Sequence, residues 1–202
     1  MPTRFDGFIY RELTGLVCGG TLDSCEEEGE DEHEEEHGHE HGFDQVLFQQ
    51  RDATFYGAEL AGQYDVGQVW RGTWGVEGQY DFVRARFDDG ENVPRIPPHR
   101  LGGGIYYRDT NWFARTSVLH AFEQDQVAPG ELTTPGYTLL NAELSYVKQV
   151  RRAEGLVPVV TIGIKGENLL DDEVLNSASF QRREGVLQPG ANVHVFGSIK
   201  LN

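Results

Sequence analysis

From Phe43 onward, apolar and polar residues alternate with a period of two in segments of about ten or more residues, and turn-forming residues separate the segments. In WRGTWGVEGQYDF, residues 70–82, one alternate set is apolar or glycine and the other is polar or glycine. Successive side chains of a strand point to opposite faces, so this segment predicts a strand with Trp74 on an apolar face and Glu77 on a polar face. The predicted apolar face consists of Trp70, Gly72, Trp74, Val76, Gly78, Tyr80 and Phe82.

The alternation recurs in LLNAELSYV (139–147), in PVVTIGIKGEN (158–168) and in residues 193–201. Short connections fall near residues 66–68 and 109–111, and long ones fall at residues 13–42, 88–99, 124–136 and 169–190. Soluble strands usually have only about 5–6 residues, whereas long strands with short turns at one end and long loops at the other are typical of a transmembrane β-barrel. The pattern therefore predicts an all-β chain of antiparallel, membrane-spanning strands.

The formal net charge of −16 is concentrated in one short run. Ten of the 33 acidic residues lie within residues 26–40, which leaves 23 acidic against 17 basic residues elsewhere. Binding to nucleic-acid phosphates needs a basic face, so this distribution excludes nucleic acid as a partner. No apolar run approaches the roughly 20 residues of a transmembrane helix, so strands are the only membrane-spanning elements that the sequence predicts.

The acidic run also contains four of the seven histidines, His33, His37, His39 and His41. Neutral imidazole is a good ligand for Zn²⁺, Cu²⁺ and Ni²⁺, and neighbouring carboxylates add attraction and oxygen ligands. A low-complexity segment loses conformational entropy when it orders around an ion, so we expect transient capture of zinc, nickel or copper and no tightly bound cofactor. The alternative is a solvated acidic coil, and the clustering of the histidines makes us favour metal capture.

The two cysteines, Cys18 and Cys25, flank a short loop of glycine, serine and aspartate just before this run. A disulfide between them would indicate an oxidising compartment. Two alternatives stay open: the thiolates could join the nearby histidines as soft metal ligands, or both cysteines could be unpaired.

The sequence predicts that the chain is not an enzyme, because it contains no glycine-rich phosphate loop, nucleophile elbow or HExxH helix. Asp171, Asp172 and Glu173 lie together in GENLLDDE and could coordinate Ca²⁺, but their spacing is not that of a calcium loop. The remaining histidines, which we do not assign as metal ligands, are His99, His120 and His194.

Four segments occur in a suggestive order ahead of the terminal alternating strand. They are RDATFYGAELAGQYD (51–65), VPRIPPHRLGGGIYY (93–107), TPGYTLLNAELSY (134–146) and IKGENLLDDEVLNSASF (164–180). In this order they resemble the C-terminal barrel strands of TonB-dependent outer-membrane receptors. Each segment alone has limited specificity, and the ordered set is what carries the resemblance.

The resemblance implies a Gram-negative outer-membrane protein whose complete barrel has about 22 strands, is plugged by an N-terminal domain and imports scarce nutrients with energy from the TonB system. This chain has room for about eight strands, and it shows neither the plug nor the N-terminal coupling motif. We therefore interpret residues 1–202 as a partial barrel, surrounded by outer-membrane lipid, on which the TonB system acts only through the missing plug. We expect an open, curved sheet with two unpaired edges.

If the last strand ends in the periplasm, the first strand runs outward, so residues 14–42 are predicted to form a disordered, extracellular acidic and histidine-rich loop. The leading hypothesis is the barrel portion of a receptor for a divalent transition metal, which we expect to be zinc, captured at this loop. The alternatives are a soluble secreted β-protein that sequesters metal through the same loop, and a non-functional gene remnant.

Overall fold

The computed structural model describes residues 2–18, 25–27, 43–150, 158–179 and 185–201. They form one antiparallel sheet of nine strands, in the order β2-β1-β3-β4-β5-β6-β7-β8-β9. The strands are β1 (Thr3–Cys18), β2 (Cys25–Glu27), β3 (Phe43–Val69), β4 (Gly72–Phe87), β5 (Arg100–Arg108), β6 (Trp112–Ala121), β7 (Tyr137–Gln149), β8 (Val159–Glu167) and β9 (Asn192–Lys200). Only β2 is short, so the predicted all-β fold with about eight long antiparallel strands is confirmed. None of the described residues belongs to a helix that could cross a membrane.

The connections at one end of the sheet are shorter than those at the other end. Trp70 and Arg71 alone join β3 to β4, residues 109–111 join β5 to β6, and residues 150–158 join β7 to β8. Residues 88–99, 122–136 and 168–191 connect strands at the opposite end. We call these two ends the turn end and the loop end.

The first short turn lies elsewhere than the sequence predicts. Alternation places it near residues 66–68 and puts Trp70 on the apolar face, but β3 continues to Val69. Trp70 lies in the turn itself, with a φ of 55° and 95% of its surface exposed. A β-bulge between Asp65 and Gly67 inserts one residue into β3, which shifts the phase of the strand and delays the turn.

From β4 to β9 the two faces of the sheet have the predicted chemistry, with Trp74 and Glu77 on opposite sides. The apolar face carries large hydrophobic side chains that are exposed in the described part of the chain, as expected of strands that face lipid. They include Val76, Leu101, Ile105, Val118, Leu144, Ile162, Ile164, Val193 and Val195. The polar face includes Glu77, Arg115, Asn141, Glu143, Lys165 and His194.

Aromatic belts bound the apolar face at two levels. The turn-end belt consists of Tyr64, Trp74, Tyr107, Trp112 and Tyr146, and the loop-end belt consists of Tyr80, Phe82 and His99. The span from Trp74 to Phe82 is eight residues. A strand of that span is about 26 Å long, close to the apolar band of about 25 Å that lies between the aromatic girdles of membrane barrels.

Strand β1 is not level with the other long strands. Thr3 pairs with Phe55, and Phe87 at the end of β4 pairs with Ala53, so β1 begins where β4 ends. Strands β1 and β2 and residues 43–55 of β3 therefore form an arm that projects beyond the loop end. Strand β1 is antiparallel to β3, as the sequence predicts, but the sequence does not predict the offset of β1 along β3, because that offset depends on long-range register.

The arm takes in part of the segment that the sequence predicts to be a disordered loop. Cys18 pairs with both Phe43 and Cys25, which extends β1 to Cys18 and forms β2. Residues 14–18 and 25–27 are therefore strand, and residues 19–24 and 28–42 lie outside the described residues.

Within the described ranges the sheet is open, as expected. Strand β9 pairs only with β8, and β2 pairs only with β1. Residues 56–69 of β3 pair with β4 but not with β1, whose pairing ends at Phe55. These edges present unpaired backbone donors and acceptors.

The buried apolar core is small and lies at the loop end, between the root of the arm and the connection from β4 to β5. Its members are Tyr10, Ala53, Ala85, Phe87 and Val93. The backbone N–H of Val93 donates to the carbonyl of Ala85 at 3.1 Å, so the connection folds back against the end of β4. This core fixes the arm to the rest of the sheet.

Candidate functional site

The four histidines that the sequence predicts as metal ligands, His33, His37, His39 and His41, lie outside the described residues. The strands that flank them can be placed. Strand β2 ends at Glu27, and β3 begins at Phe43, which pairs with Cys18 at the end of β1. Strand β3 therefore begins at the distal tip of the arm, whereas β2 begins at the tip, where Cys25 lies opposite Cys18, and ends at Glu27 opposite Leu16.

The tip of the arm contains a cross-link. Cys18 is disulfide-bonded, and Cys25, the other cysteine of the chain, lies opposite it in the β1–β2 ladder. Of the three alternatives that the sequence leaves open, the disulfide is the one present, so Cys18 is not a thiolate ligand. A disulfide is typical of an oxidising compartment.

The three histidines outside the acidic run each contact a side chain on a different part of the sheet. The distances are 3.1 Å from His99 Nδ1 to Tyr80 Oη, 2.9 Å from His120 Nδ1 to Thr138 Oγ1 and 3.3 Å from His194 Nε2 to Glu167 Oε2. His194 lies on the polar face, and the register places His120, which has no readable phase in the sequence, on the apolar face beside Leu101. In the described part of the chain, no group of three histidine, cysteine, aspartate or glutamate side chains could hold a metal ion.

The carboxylates of GENLLDDE accept hydrogen bonds from the backbone. Asp171 Oδ1 accepts the N–H of Ala191 at 2.7 Å, and Asp172 Oδ2 accepts the N–H of Thr138 at 2.6 Å. The Asn168 side chain accepts the N–H of Asp172 at 3.0 Å and donates to its carbonyl at 2.9 Å. These contacts tie the loop ends of β7, β8 and β9 together, which is a structural role for these carboxylates.

The polar face contains a depression of about 590 Å³, lined by residues of β3 to β8. We call this lining surface the polar wall. Its polar lining includes Gln63, Glu77, Arg115, Asn141, Glu143 and Lys165. Charges of both signs alternate across it, since Glu143 pairs in register with Arg115 on one side and with Lys165 on the other. Such a surface can form hydrogen bonds and ion pairs with a polar solute or with another polar protein surface.

Glu77 and Arg115 form a shielded ion pair in the polar wall. Arg115 Nε lies 2.6 Å from Glu77 Oε1, and Gln63 Nε2 donates to Glu77 Oε2 at 3.2 Å. The Glu77 side chain is only 10% exposed. Glu77 belongs to β4 and Arg115 to β6, so the pair crosses β5, where a Cβ at Gly104 would lie 2.8 Å from Glu77 Oε1. A glycine in β5 thus makes room for the pair.

A second contact crosses a strand in the same way. Tyr106 of β5 donates its hydroxyl to Asp65 of β3 at 2.6 Å, and Arg108 Nη2 donates to both oxygens of Asp65, at 3.0 and 2.7 Å. The intervening strand is β4, where a Cβ at Gly75 would overlap the Tyr106 ring. At both of these places a long side chain of the polar face reaches the second strand over, across a glycine of the strand between.

The residue pattern alone does not single out Glu77, Arg115 or Asp65. Alternation places Glu77 on the polar face, but it cannot pair residues of strands that are not neighbours. A signal is present in the sequence: Gly75 and Gly104 occupy positions of the polar phase, where a side chain would otherwise stand. Glycine within a strand often marks a close approach by another group.

A comparison with known families agrees with this architecture. The family model described as TonB dependent receptor-like, beta-barrel, matches residues 3–169, which include the arm, both aromatic belts and the polar wall. Proteins of this family are transporters of the Gram-negative outer membrane that work with the TonB system. The apolar face, the open edges and the long loops at one end are the features expected of part of such a barrel. The chain therefore belongs to the TonB-dependent receptor β-barrel family.

Proposed function

We propose that this chain serves the uptake of a divalent transition metal, zinc, and that His33, His37, His39 and His41 capture the ion before import. The observation that carries this function is the clustering of four imidazoles, at offsets of four, two and two residues, inside an acidic run. Membership in a family of outer-membrane transporters supports uptake rather than sequestration by a soluble protein.

The chemistry of the run suits a borderline metal ion. Zn²⁺ binds neutral imidazole nitrogen and carboxylate oxygen, usually with four ligands. Four histidines and ten acidic residues offer several interchangeable ligand sets. Because the run must lose conformational entropy to form any one set, binding is modest in affinity and exchange is rapid. These properties suit capture and release of a substrate.

The arm supports capture outside the membrane. Phe43 lies ten residues along β3 from Ala53, which is level with the end of β4, so this stretch spans about 33 Å when extended. The long loops of outer-membrane barrels face the medium, so the tip of the arm is directed away from the cell. A disulfide-bonded tip is stable in that oxidising environment.

The test is calorimetric titration of the full chain in detergent micelles with Zn²⁺. Replacement of all four histidines by asparagine keeps the acidic charge and removes the imidazoles, so we expect affinity to fall at least about tenfold, or about 1.4 kcal/mol. Binding by the parent chain weakens as the pH falls through about 6.5, because protons compete for imidazole nitrogen.

A matched control replaces Glu34, Glu35 and Glu36 with glutamine. This variant keeps every histidine, so it retains most of its affinity at physiological ionic strength, where attraction between exposed charges is screened. Equal binding by the asparagine variant and the parent, or competition by Mg²⁺ on equal terms, would show that the histidines are not the ligands.

A further inference from the structure

The apolar face of β4 changes chemistry along its length. Alternate residues on this face run from Val76 through Tyr80 and Phe82 to Arg84 and Arg86. The first of these lies in the lipid-facing band and the next two form the loop-end belt. Two cations therefore follow directly after the aromatic belt, on the side of the sheet that faces lipid.

This position matches the level of lipid headgroups. Phe82 stacks on His99 at 5.2 Å between ring centroids, and the Tyr80 hydroxyl is hydrogen-bonded to the same imidazole. These contacts hold the three side chains of the belt together at the edge of the apolar band. Aromatic girdles mark the membrane–water interfaces of outer-membrane barrels, and a cation on the lipid face is least costly there. Arg84 lies two residues, or about 7 Å along the strand, beyond Phe82.

The two arginines also differ from those of the polar face in their partners. The polar-face arginines Arg100, Arg108 and Arg115 contact Asp81, Asp65 and Glu77 at 2.9, 2.7 and 2.6 Å, respectively. Arg84 Nη1 instead donates to the neutral amide oxygen of Gln124 at 3.3 Å. The exposed Arg86 side chain has neither a hydrogen bond nor an ion pair with any described residue. The cations on the lipid side are thus not neutralised by a carboxylate in the described ranges.

The β3 neighbours of the two arginines are polar, and the carboxylates beyond them contact another cation. Tyr56 is the β3 partner of Arg84, and Thr54 is the β3 partner of Arg86. Two carboxylates lie one register position further toward the arm, those of Asp52 and Asp88. Arg4 contacts both, at 3.3 and 2.7 Å, and also contacts Asp6, at 3.2 Å. Arg84 and Arg86 therefore form a cationic patch with neighbouring hydroxyl groups.

We propose that Arg84 and Arg86 bind the phosphate group of an anionic lipid in the outer leaflet. A guanidinium group offers several N–H donors in a planar fork that matches phosphate oxygens, and it gives up its hydration more readily than an ammonium group. A lipid whose acyl chain lies against the apolar band has its headgroup at the height of these two residues. Basic side chains next to a bilayer attract anionic lipids.

Lipid binding by the full chain can be counted by native mass spectrometry in detergent micelles with added phosphatidylglycerol or phosphatidylcholine. The parent chain retains the anionic lipid at least about tenfold more tightly than the zwitterionic one. The double variant Arg84→Gln, Arg86→Gln loses most of this preference. Arg86→Gln alone loses part of it and cannot disturb folding through a lost contact, since the side chain has no partner in the described ranges.

The matched control is Lys165→Gln, which removes one charge from the polar wall, on the face away from lipid, and keeps the preference. An unchanged preference in Arg86→Gln, or an equal loss in Lys165→Gln, would overturn the assignment. Displacement of the lipid by millimolar inorganic phosphate would also overturn it, because the patch would then be a site for the free ion. Circular dichroism of each variant confirms that the strands are formed.

Discussion

Single glycines decide which side chains of the polar wall can meet. Gly104 lies between Glu77 and Arg115, and Gly75 lies between Tyr106 and Asp65. In each case the absent Cβ leaves a channel through which a long side chain reaches the second strand over. The low exposure of the Glu77 side chain depends on the neighbouring strand β5 as much as on its own strand, β4.

Replacement of Gly104 by alanine should therefore destabilise the sheet. The new Cβ would lie 2.6 Å from the carbonyl oxygen of Thr116 and 2.8 Å from Glu77 Oε1, so the backbone and the ion pair must both shift. Such overpacking costs about 1–3 kcal/mol, measurable by denaturant unfolding in detergent micelles. The neighbouring Gly103→Ala is the control, since its Cβ would point to the apolar face, with its nearest contact at 3.4 Å. Similar losses in both variants would contradict the role of Gly104.

At the scale of elements, the β5–β6 hairpin owes its turn to one carboxylate. Asp109 Oδ1 accepts the N–H groups of Trp112 and Asn111, both at 2.7 Å, and Asp109 Oδ2 accepts the hydroxyl of Tyr107 at 3.0 Å. Hydrogen bonds from the backbone N–H groups, first that of Trp112 and then that of Asn111, lower the pKa of the Asp109 carboxyl below its ordinary value. Aspartate favours such turns because its side chain can bond the backbone two residues on.

This lowered pKa gives the hairpin a pH dependence of known sign. The folded state favours the ionised carboxylate, so its stabilising contribution is present above the ordinary aspartate pKa of about 4 and is lost as the pH falls below it. The protection factors of the Asn111 and Trp112 amides, which are corrected for the intrinsic pH dependence of exchange, should therefore fall on acidification. In Asp109→Asn they should start lower and change less with pH, whereas Thr110→Ala, at an exposed position, should behave like the parent. Equal pH profiles for Asp109→Asn and the parent would exclude this role for the carboxylate.

At the scale of the whole molecule, the sheet has a lipid-facing band and a separate arm. The band lies between the two aromatic belts, and the small buried core lies at the loop end, where the arm joins the sheet. A soluble domain of this size would place its core between layers of structure. Here the apolar face has no covering layer in the described part of the chain, because lipid takes that place.

The position of the band predicts which substitutions prevent insertion. Val118 lies midway between the belts on the apolar face, while its neighbour Ser117 lies on the polar face. Val118→Lys places a cation at mid-membrane, at a cost of about 2–4 kcal/mol, and Ser117→Lys directs the same charge into a polar space. Urea titration of folding into lipid vesicles should show a large loss only for Val118→Lys. If both variants insert equally well, the two faces have been assigned wrongly.

The residue pattern predicts the positions of some side chains at the candidate sites but not of others. Alternation correctly predicts the sides of Trp74, Glu77 and His194, and the histidine-rich run stays a prediction from sequence, because it lies outside the described residues. The same alternation misplaces Trp70, because the pattern continues through Trp70 into β4, whereas Trp70 and Arg71 form the turn beyond the last pair, Val69 with Gly72. Nothing in the sequence next to Glu77 specifies Arg115 as its partner.

The sequence by itself determined the fold class, the two faces of the strands and the alternation of short and long connections. These features are local: the direction of a side chain depends on the backbone of its own strand, and a turn depends on a few consecutive residues. Only the tertiary structure decided the level of β1, the arm that results from it and the contacts that cross a strand above glycine. Those features depend on the register between distant segments. Period-two alternation does not specify this register, because a shift of two residues leaves every side chain on its correct face.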